Sequence, residues 1–301
     1  MSLELSNLFS VKGIVAIITG GGTGLGRTVA LALDANHAAK VFIIGRREQP
    51  LQETAAQAAN RSVIPIVADI TSQDSLQNAY HAIAAQTSHI DLLFANSGTN
   101  GPVTHIPPKS DGSPPTLAEF RDHHWSHPMT DFTDTLNVNV TGTQYTILAF
   151  LPLLDEANKR RPPPETNELA PPRPQVIVTS SVAAFVNRPS GFAYSFSKAA
   201  LVQLVKVFAA NLTPYQIRVN GIAPGLFYSD MARHLFEKRG VSGRGISDGS
   251  MKPDFIPLTR AGSDEDIAGT ILWMAGQSGG YLTGETIVLD GGRRTLFMQG
   301  S

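Results

Sequence analysis

Residues 14–26 read Ile14-Val15-Ala16-Ile17-Ile18-Thr19-Gly20-Gly21-Gly22-Thr23-Gly24-Leu25-Gly26. The first six are apolar or β-branched, which predicts a strand buried on both faces. The following residues to Asn36 have helical character, so a helix is predicted over 24–36. Between strand and helix lies a glycine-rich turn. Glycine lets backbone come close to a pyrophosphate and permits turns closed to other residues. The helix amino end adds free N–H groups and a positive dipole end. A glycine-rich segment alone is often an ordinary turn. Placed between the first strand and the first helix, it predicts a dinucleotide site. Gly20, Gly22, Thr23, Gly24, Leu25 and Gly26 are its candidate contacts.

The same rhythm continues outward. Short apolar runs at 14–19, 41–44, 63–67, 92–95, 176–179, 219–222 and 286–289 read as strands. Helices are predicted between them at about 24–36, 49–59, 72–87, 131–157, 193–212 and 264–277. Thr71 with Asp74, and Ser263 with Asp266, have the spacing of helix caps. Repeated strand–helix alternation predicts an α/β domain, a doubly wound parallel sheet of about seven strands with helices on both faces. Residues 99–128 and 158–174 interrupt the rhythm and read as loop insertions within one domain spanning 1–301. The second is dense in proline (Pro162, Pro163, Pro164, Pro171, Pro172, Pro174), which disfavours helix. Ligands of such sheets bind beyond the carboxyl ends of the strands. The 99–128 loop is therefore expected near the substrate, and the proline-rich loop on the far edge.

Composition narrows the function classes. Lys plus Arg number 24 and Asp plus Glu 25, a balance that gives no sign of nucleic-acid or membrane-surface binding. The absence of cysteine excludes disulfides, thiolate zinc sites and a cysteine nucleophile. The longest apolar runs are too short for a bilayer, and residues 1–12 do not resemble a signal peptide. A soluble, cytoplasmic protein is expected. His123, His124 and His127 cluster near Trp125 but match no zinc spacing, so no metal is expected.

With its Thr-Gly-x-x-x-Gly-x-Gly spacing, the chain resembles the short-chain dehydrogenase/reductase family, whose fold is Rossmann-like. Further matches follow in order: Asp69, Asn96-Ser97-Gly98, Asn139-Val140-Thr141-Gly142, Ser181, Tyr194-x-x-x-Lys198, Pro224-Gly225 and the closing 283–292. The resemblance covers residues 13–292. It implies that Asp69 and Ile70 lie by the adenine, and Asn96 and Gly98 by the adenosine ribose. It places Pro224, Gly225 and Ser229 by the nicotinamide, with 226–256 as a substrate lid. It further implies a homodimer or homotetramer.

Cofactor choice is read after the second strand. Asp or Glu there accepts hydrogen bonds from the ribose of NAD. This chain has Gly45-Arg46-Arg47 instead. No carboxylate repels a 2′-phosphate, and a guanidinium could hold it as a fork. NADP(H) is therefore favoured over NAD(H), the competing reading being that both arginines are solvated surface charges.

The reacting centre is read from Asn139, Ser181, Tyr194 and Lys198. Tyr194 and Lys198 are four apart on a predicted helix and share a face. A nearby ammonium is expected to lower the phenol's pKa from about 10 toward neutrality. The phenol would then protonate a developing alkoxide. Ser181 would donate to the substrate oxygen. By resemblance, Lys198 bonds the nicotinamide ribose and Asn139 positions a water leading to the lysine. The expected function is NADP(H)-dependent reduction of a ketone or aldehyde on a small, largely apolar molecule. A cofactor-binding sensor or scaffold without turnover, and a nicotinamide-assisted isomerase or epimerase, are the alternatives. The apolar stripe Phe227, Tyr228, Met231, Leu235 and Phe236 suits a lid or a packed core.

Overall fold

The structure is a computed structural model that describes residues 3–162, 170–187, 191–230 and 232–298. Pro163, Pro164 and Met231 lie outside the described residues. The strands are β1 (Val15–Thr19), β2 (Lys40–Gly45), β3 (Val63–Val67), β4 (Leu92–Ala95), β5 (Gln175–Thr179), β6 (Arg218–Pro224) and β7 (Thr286–Leu289). They form one seven-stranded sheet in the order β3-β2-β1-β4-β5-β6-β7. Every pairing is parallel. The order reverses between β1 and β4, which opens a crevice at their carboxyl ends.

Around the sheet lie α1 (Leu5–Leu8), α2 (Gly24–Ala35), α3 (Glu48–Ala56), α4 (Gln73–Ala84), α5 (Leu117–Trp125) and α6 (Met129–Leu136). They are followed by α7 (Gly142–Lys159), α8 (Phe192–Leu212), α9 (Arg233–Glu237), α10 (Asp264–Ala275) and α11 (Arg293–Met298). Alternation along β1 explains the two layers. Val15 and Ile17 pack with Ile147, Phe150 and Leu154 of α7 and Leu201 and Val205 of α8. Ala16 and Ile18 face Val29 and Leu33 of α2 and Ile267, Ile271 and Met274 of α10. Both faces of the central strands are thus covered, which is why their sequences are apolar throughout. Helix α8 with its following turn, Phe192–Tyr215, is long and apolar enough to cross a membrane, contrary to the reading of its sequence. Here Leu201, Leu204, Val205, Ala209 and Leu212 are buried in the sheet core instead.

Several local expectations are corrected. The single helix predicted over 131–157 is broken into α6, a π turn at Asn137–Thr141, and α7. The cap of α4 is Ser72, whose hydroxyl accepts the Ser75 N–H at 3.2 Å. Thr71 instead donates its hydroxyl to Asp69 Oδ1 at 2.7 Å. Both residues are hydroxylic, and the extended backbone at Ser72 decides between them. The cap of α10 is the expected Ser263–Asp266 capping box. Within the 99–128 insertion a helix forms, α5, started by a capping box of Thr116 and Glu119. In the 226–256 segment Leu226, Phe236, Met251 and Ile256 form a small core of their own, joined by Tyr228 and Leu235. Phe227 packs into the main core beside α10.

Candidate active site

The glycine turn is shaped by close approaches. Gly20 has φ +70°, and a Cβ there would stand 3.0 Å from Asn96 Nδ2. A Cβ on Gly26 would lie 2.4 Å from the Gly20 carbonyl oxygen, so helix and turn meet backbone to backbone. Asn96 secures the neighbouring strands. Its N–H donates to Thr19 Oγ1 at 3.0 Å, its Nδ2 to the Thr19 carbonyl at 3.2 Å, and its Oδ1 accepts the Thr179 hydroxyl at 3.1 Å.

A cleft opens above this turn. Gly20, Gly22, Thr23, Arg46, Arg47, Asp69, Ile70 and Gly98 line it. Pro50, Leu51 and Val138, which no sequence motif marks, stand in the same wall with Ser97 of the Asn96-Ser97-Gly98 match. Pro50 and Leu51 open α3, and nothing in their types marks them as ligand contacts. Gly24, Leu25, Gly26 and Asn96 are not in the lining: Gly26 and Asn96 meet the turn from behind, Leu25 packs against the core, and Gly24 faces Ser229. Arg46 and Arg47 are exposed at the rim, and neither forms a salt bridge among the described residues. Burial works against the Asp69 carboxylate. Bonds from the Thr71 N–H and hydroxyl, with the Arg46 charge, outweigh it and lower its pKa.

A second group converges at the carboxyl end of β5. Ser181 follows the strand in extended conformation and caps a short 3-10 turn, Val182–Phe185, its hydroxyl accepting the Ala183 N–H at 3.2 Å. Tyr194, in the first turn of α8, stands beside Ser181, whose hydroxyl favours the charged form of the phenol. Lys198, one turn along α8, is buried and donates from Nζ to the Thr179 carbonyl at 2.9 Å. Its ammonium stands 5.6 Å from the centre of the Tyr194 ring. Asn139 is fully buried in the π turn. Its Oδ1 accepts the Thr99 N–H at 2.8 Å, and its Nδ2 donates to the Thr99 carbonyl and to Ser197 Oγ, each at 2.9 Å. The Asn139 amide is thus spent on protein partners and ties the loop after β4 to α8. Gly98 joins the two groups. A Cβ there would lie 3.1 Å from Asn139 Oδ1 and 3.4 Å from Lys198 Nζ.

One electrostatic expectation is overturned. Burial raises the Tyr194 phenol above its ordinary value, and the Ser181 hydroxyl offsets this only in part. The ammonium is not among the causes. Its proton is directed at the Thr179 carbonyl, and it stands over the ring. The same burial pushes Lys198 down to about 8. Tyr194 therefore rests as a neutral phenol, a proton donor.

The remaining expected residues lie at the ends of β6 and beyond. The Gly225 N–H donates to the Leu289 carbonyl at 2.7 Å, and a Cβ on it would meet Asp290 Cα at 2.7 Å. Ser229 Cβ lies 3.3 Å from where a Cβ on Gly24 would be, which brings this segment over the glycine turn. Its hydroxyl accepts the Ala232 N–H at 3.2 Å. Pro224, Gly225 and Ser229 are not part of the cleft lining. The insertion after β4 sits on the amino end of α8. A Cβ on Gly191 would be 2.6 Å from the Pro102 carbonyl oxygen, and the Phe192 N–H donates to Thr104 Oγ1 at 3.3 Å. The histidine cluster stacks there too, His124 on Phe192 with ring centres 4.6 Å apart.

A family model described as short chain dehydrogenase matches residues 14–240. The short-chain dehydrogenase/reductase PhomF of Diaporthe leptostromiformis is 39% identical over 298 residues, covering 98% of this chain and 96% of the relative. A rhamnolipid-biosynthesis 3-oxoacyl-[acyl-carrier-protein] reductase of Pseudomonas aeruginosa is 30% identical over 287 residues, covering 94% and 97%. Among solved structures, the Pseudomonas aeruginosa RhlG/NADP active-site complex superposes with a TM-score of 0.75 at 29% identity, covering 95% of this chain and 98% of that one.

Proposed function

Because the chain belongs to the short-chain dehydrogenase/reductase family, and is an oxidoreductase of that kind that binds a nicotinamide dinucleotide, we propose that it reduces a ketone or aldehyde with NADPH. The observation that carries this reading is the half-buried Tyr194, its phenol kept neutral by desolvation, beside Ser181 and with the Lys198 ammonium 5.6 Å from its ring centre. The residues present fit a dinucleotide. Gly20 and Gly26 admit no Cβ without displacing their neighbours, and Gly98 leaves space against Asn139 and Lys198. When bound, the nicotinamide supplies the hydride. All else falls to this chain.

Gly20, Gly22 and Thr23 receive the pyrophosphate, with the amino end of α2 contributing its dipole. Asp69 and Ile70 would flank the adenine, and Gly98 the adenosine ribose. The exposed Arg46 and Arg47 side chains favour the 2′-phosphate, as does the lack of a carboxylate at the end of β2. That a structural neighbour is described as an NADP complex is consistent with this choice. Ser181 donates to the carbonyl oxygen and holds it beside Tyr194. Tyr194 gives its proton to that oxygen as negative charge develops on it. Lys198 holds positive charge next to the phenolate left behind. Asn139 fixes the loop after β4 and the start of α8 in mutual register. Pro224, Gly225 and Ser229, at the end of β6 and beyond, would back the nicotinamide. The substrate is a small, largely apolar carbonyl compound entering between the 99–128 loop and the 226–256 segment. The protein acts in the cytoplasm as a homodimer or homotetramer.

The direct test is NADPH consumption with a panel of ketones, in the wild type and in Tyr194→Phe. Equal rates in the two proteins would remove Tyr194 from the mechanism.

A further inference from the structure

Helix α11 starts where the reductase reading places the nicotinamide. Strand β7 ends at Leu289, and Asp290 packs against Gly225 at the end of β6. The Asp290 carboxylate then turns the chain back, accepting the Gly292 N–H at 3.0 Å and the Arg294 N–H at 2.5 Å. Two consecutive arginines follow and diverge. The Arg293 guanidinium lies 4.2 Å from the Phe255 ring centre, on the 226–256 segment. The Arg294 guanidinium reaches the other way, 5.4 Å from the ring centre of Phe185. Phe185 ends the short turn that Ser181 begins. Arg294 therefore extends from the end of β7 to the turn after β5, with the end of β6 between them. The substrate carbonyl is expected under that span.

Arg294 makes no side-chain hydrogen bond or salt bridge among the described residues, and it is half-buried. The nearest carboxylate in sequence, Asp290, is occupied with backbone N–H groups. An arginine fork held against an aromatic ring, with its donors unspent, suits a planar two-oxygen anion.

We propose that Arg294 determines substrate specificity by binding a carboxylate carried on the carbonyl substrate, so that the preferred substrates are oxo acids. This rests on the reductase reading and adds the class of molecule to it. The apolar character expected of the substrate applies to the part lying against the 226–256 segment.

The test compares oxo acids with their methyl esters, matched in pairs, by NADPH consumption. The wild type is expected to prefer the acid in kcat/KM by roughly tenfold or more, the order for a hydrogen bond to a charged partner. In Arg294→Gln the acid-to-ester ratio is expected to fall close to unity, mainly through KM for the acid. Arg294→Lys should keep part of the preference. A wild type that treats acid and ester alike, or an Arg294→Gln protein that keeps the preference, overturns the inference and leaves the reductase reading standing. If neither member of any pair is reduced, the reductase reading fails. Thermal shift of the NADPH-loaded protein by acid against ester then decides, an acid-specific shift absent from Arg294→Gln supporting the inference and equal shifts overturning it.

Discussion

At the residue scale the site depends on where a few protons rest. Tyr194→Phe removes the donor and is expected to lower kcat by about 10²–10⁴, the range for a positioned acid. Steady-state rates with an unchanged thermal midpoint check this. Lys198 sets the pH profile. Its pKa is depressed to about 8 by burial, so it is charged below that pH and neutral above it. Reduction that needs the ammonium should decline as pH rises through about 8, and Lys198→Arg should abolish that limb. Tyr194, raised by burial, adds no loss at lower pH. A profile flat across that region would contradict the assignment. Cofactor choice rests on the rim arginines. Arg47→Glu is expected to shift the ratio of kcat/KM for NADPH over NADH toward NADH by tenfold or more, since it exchanges an attractive for a repulsive charge.

The positions of these residues could be read from the chain, but their protonation could not. Glycine spacing and the Tyr194–Lys198 interval point to residues that the fold does bring to one end of the sheet. The phenol's upward shift comes from its burial, and Lys198 Nζ turns to the Thr179 carbonyl; no spacing encodes either. Likewise Thr71 and Ser72 offer the same hydroxyl one residue apart, and only backbone angle separates them.

At the element scale, the joints between strands and helices do most of the positioning. Asp34 of α2 accepts the Asn60 N–H, the Ser62 N–H and the Ser62 hydroxyl at 2.8–2.9 Å, fixing α2 to the chain entering β3. Burial opposes its charge, but these bonds outweigh it and its pKa lies below 3.8. A depressed carboxylate stabilises the fold above its unfolded pKa, and that contribution is lost as pH falls through the folded value. Asp34→Ala is expected to cost about 1–3 kcal/mol at neutral pH through unmet backbone donors, measured by denaturant unfolding. It should also weaken the acid dependence of stability below about pH 4. Elements were legible where their pattern was regular. The apolar runs marked all seven strands. The α5 helix escaped because it is short, buries no residue and lies in a proline-rich stretch. The π turn escaped because the residues on both sides of it are helical in character, and a single inserted residue carries no residue-type mark of its own.

At the scale of the whole molecule, the outward faces of α7 and α8 are unusual. Tyr145 and Leu148 on α7, and Phe196 and Val207 on α8, are exposed large apolar side chains. The proposed homo-oligomer would cover them. Sedimentation of the wild type should show a dimer or tetramer, and Leu148→Glu with Phe196→Glu should shift it to monomer. A wild-type monomer at micromolar concentration would refute the assembly.

The widened turn at Asn137–Thr141 has a consequence for the phase of α7. Each residue in an α-helix advances the chain by about 100°. The surplus residue there sets the azimuth at which Ile147, Phe150 and Leu154 leave the axis, and hence which side of α7 meets the sheet. Deleting Val138 would rewind that turn to regular pitch and rotate the rest of α7 by about that angle. Asn139 could then keep its partners only if the apolar stripe faced water, or the stripe its burial only if the amide swung away. Local geometry at the reacting centre and packing some 20 Å along α7 are therefore two readings of a single residue count.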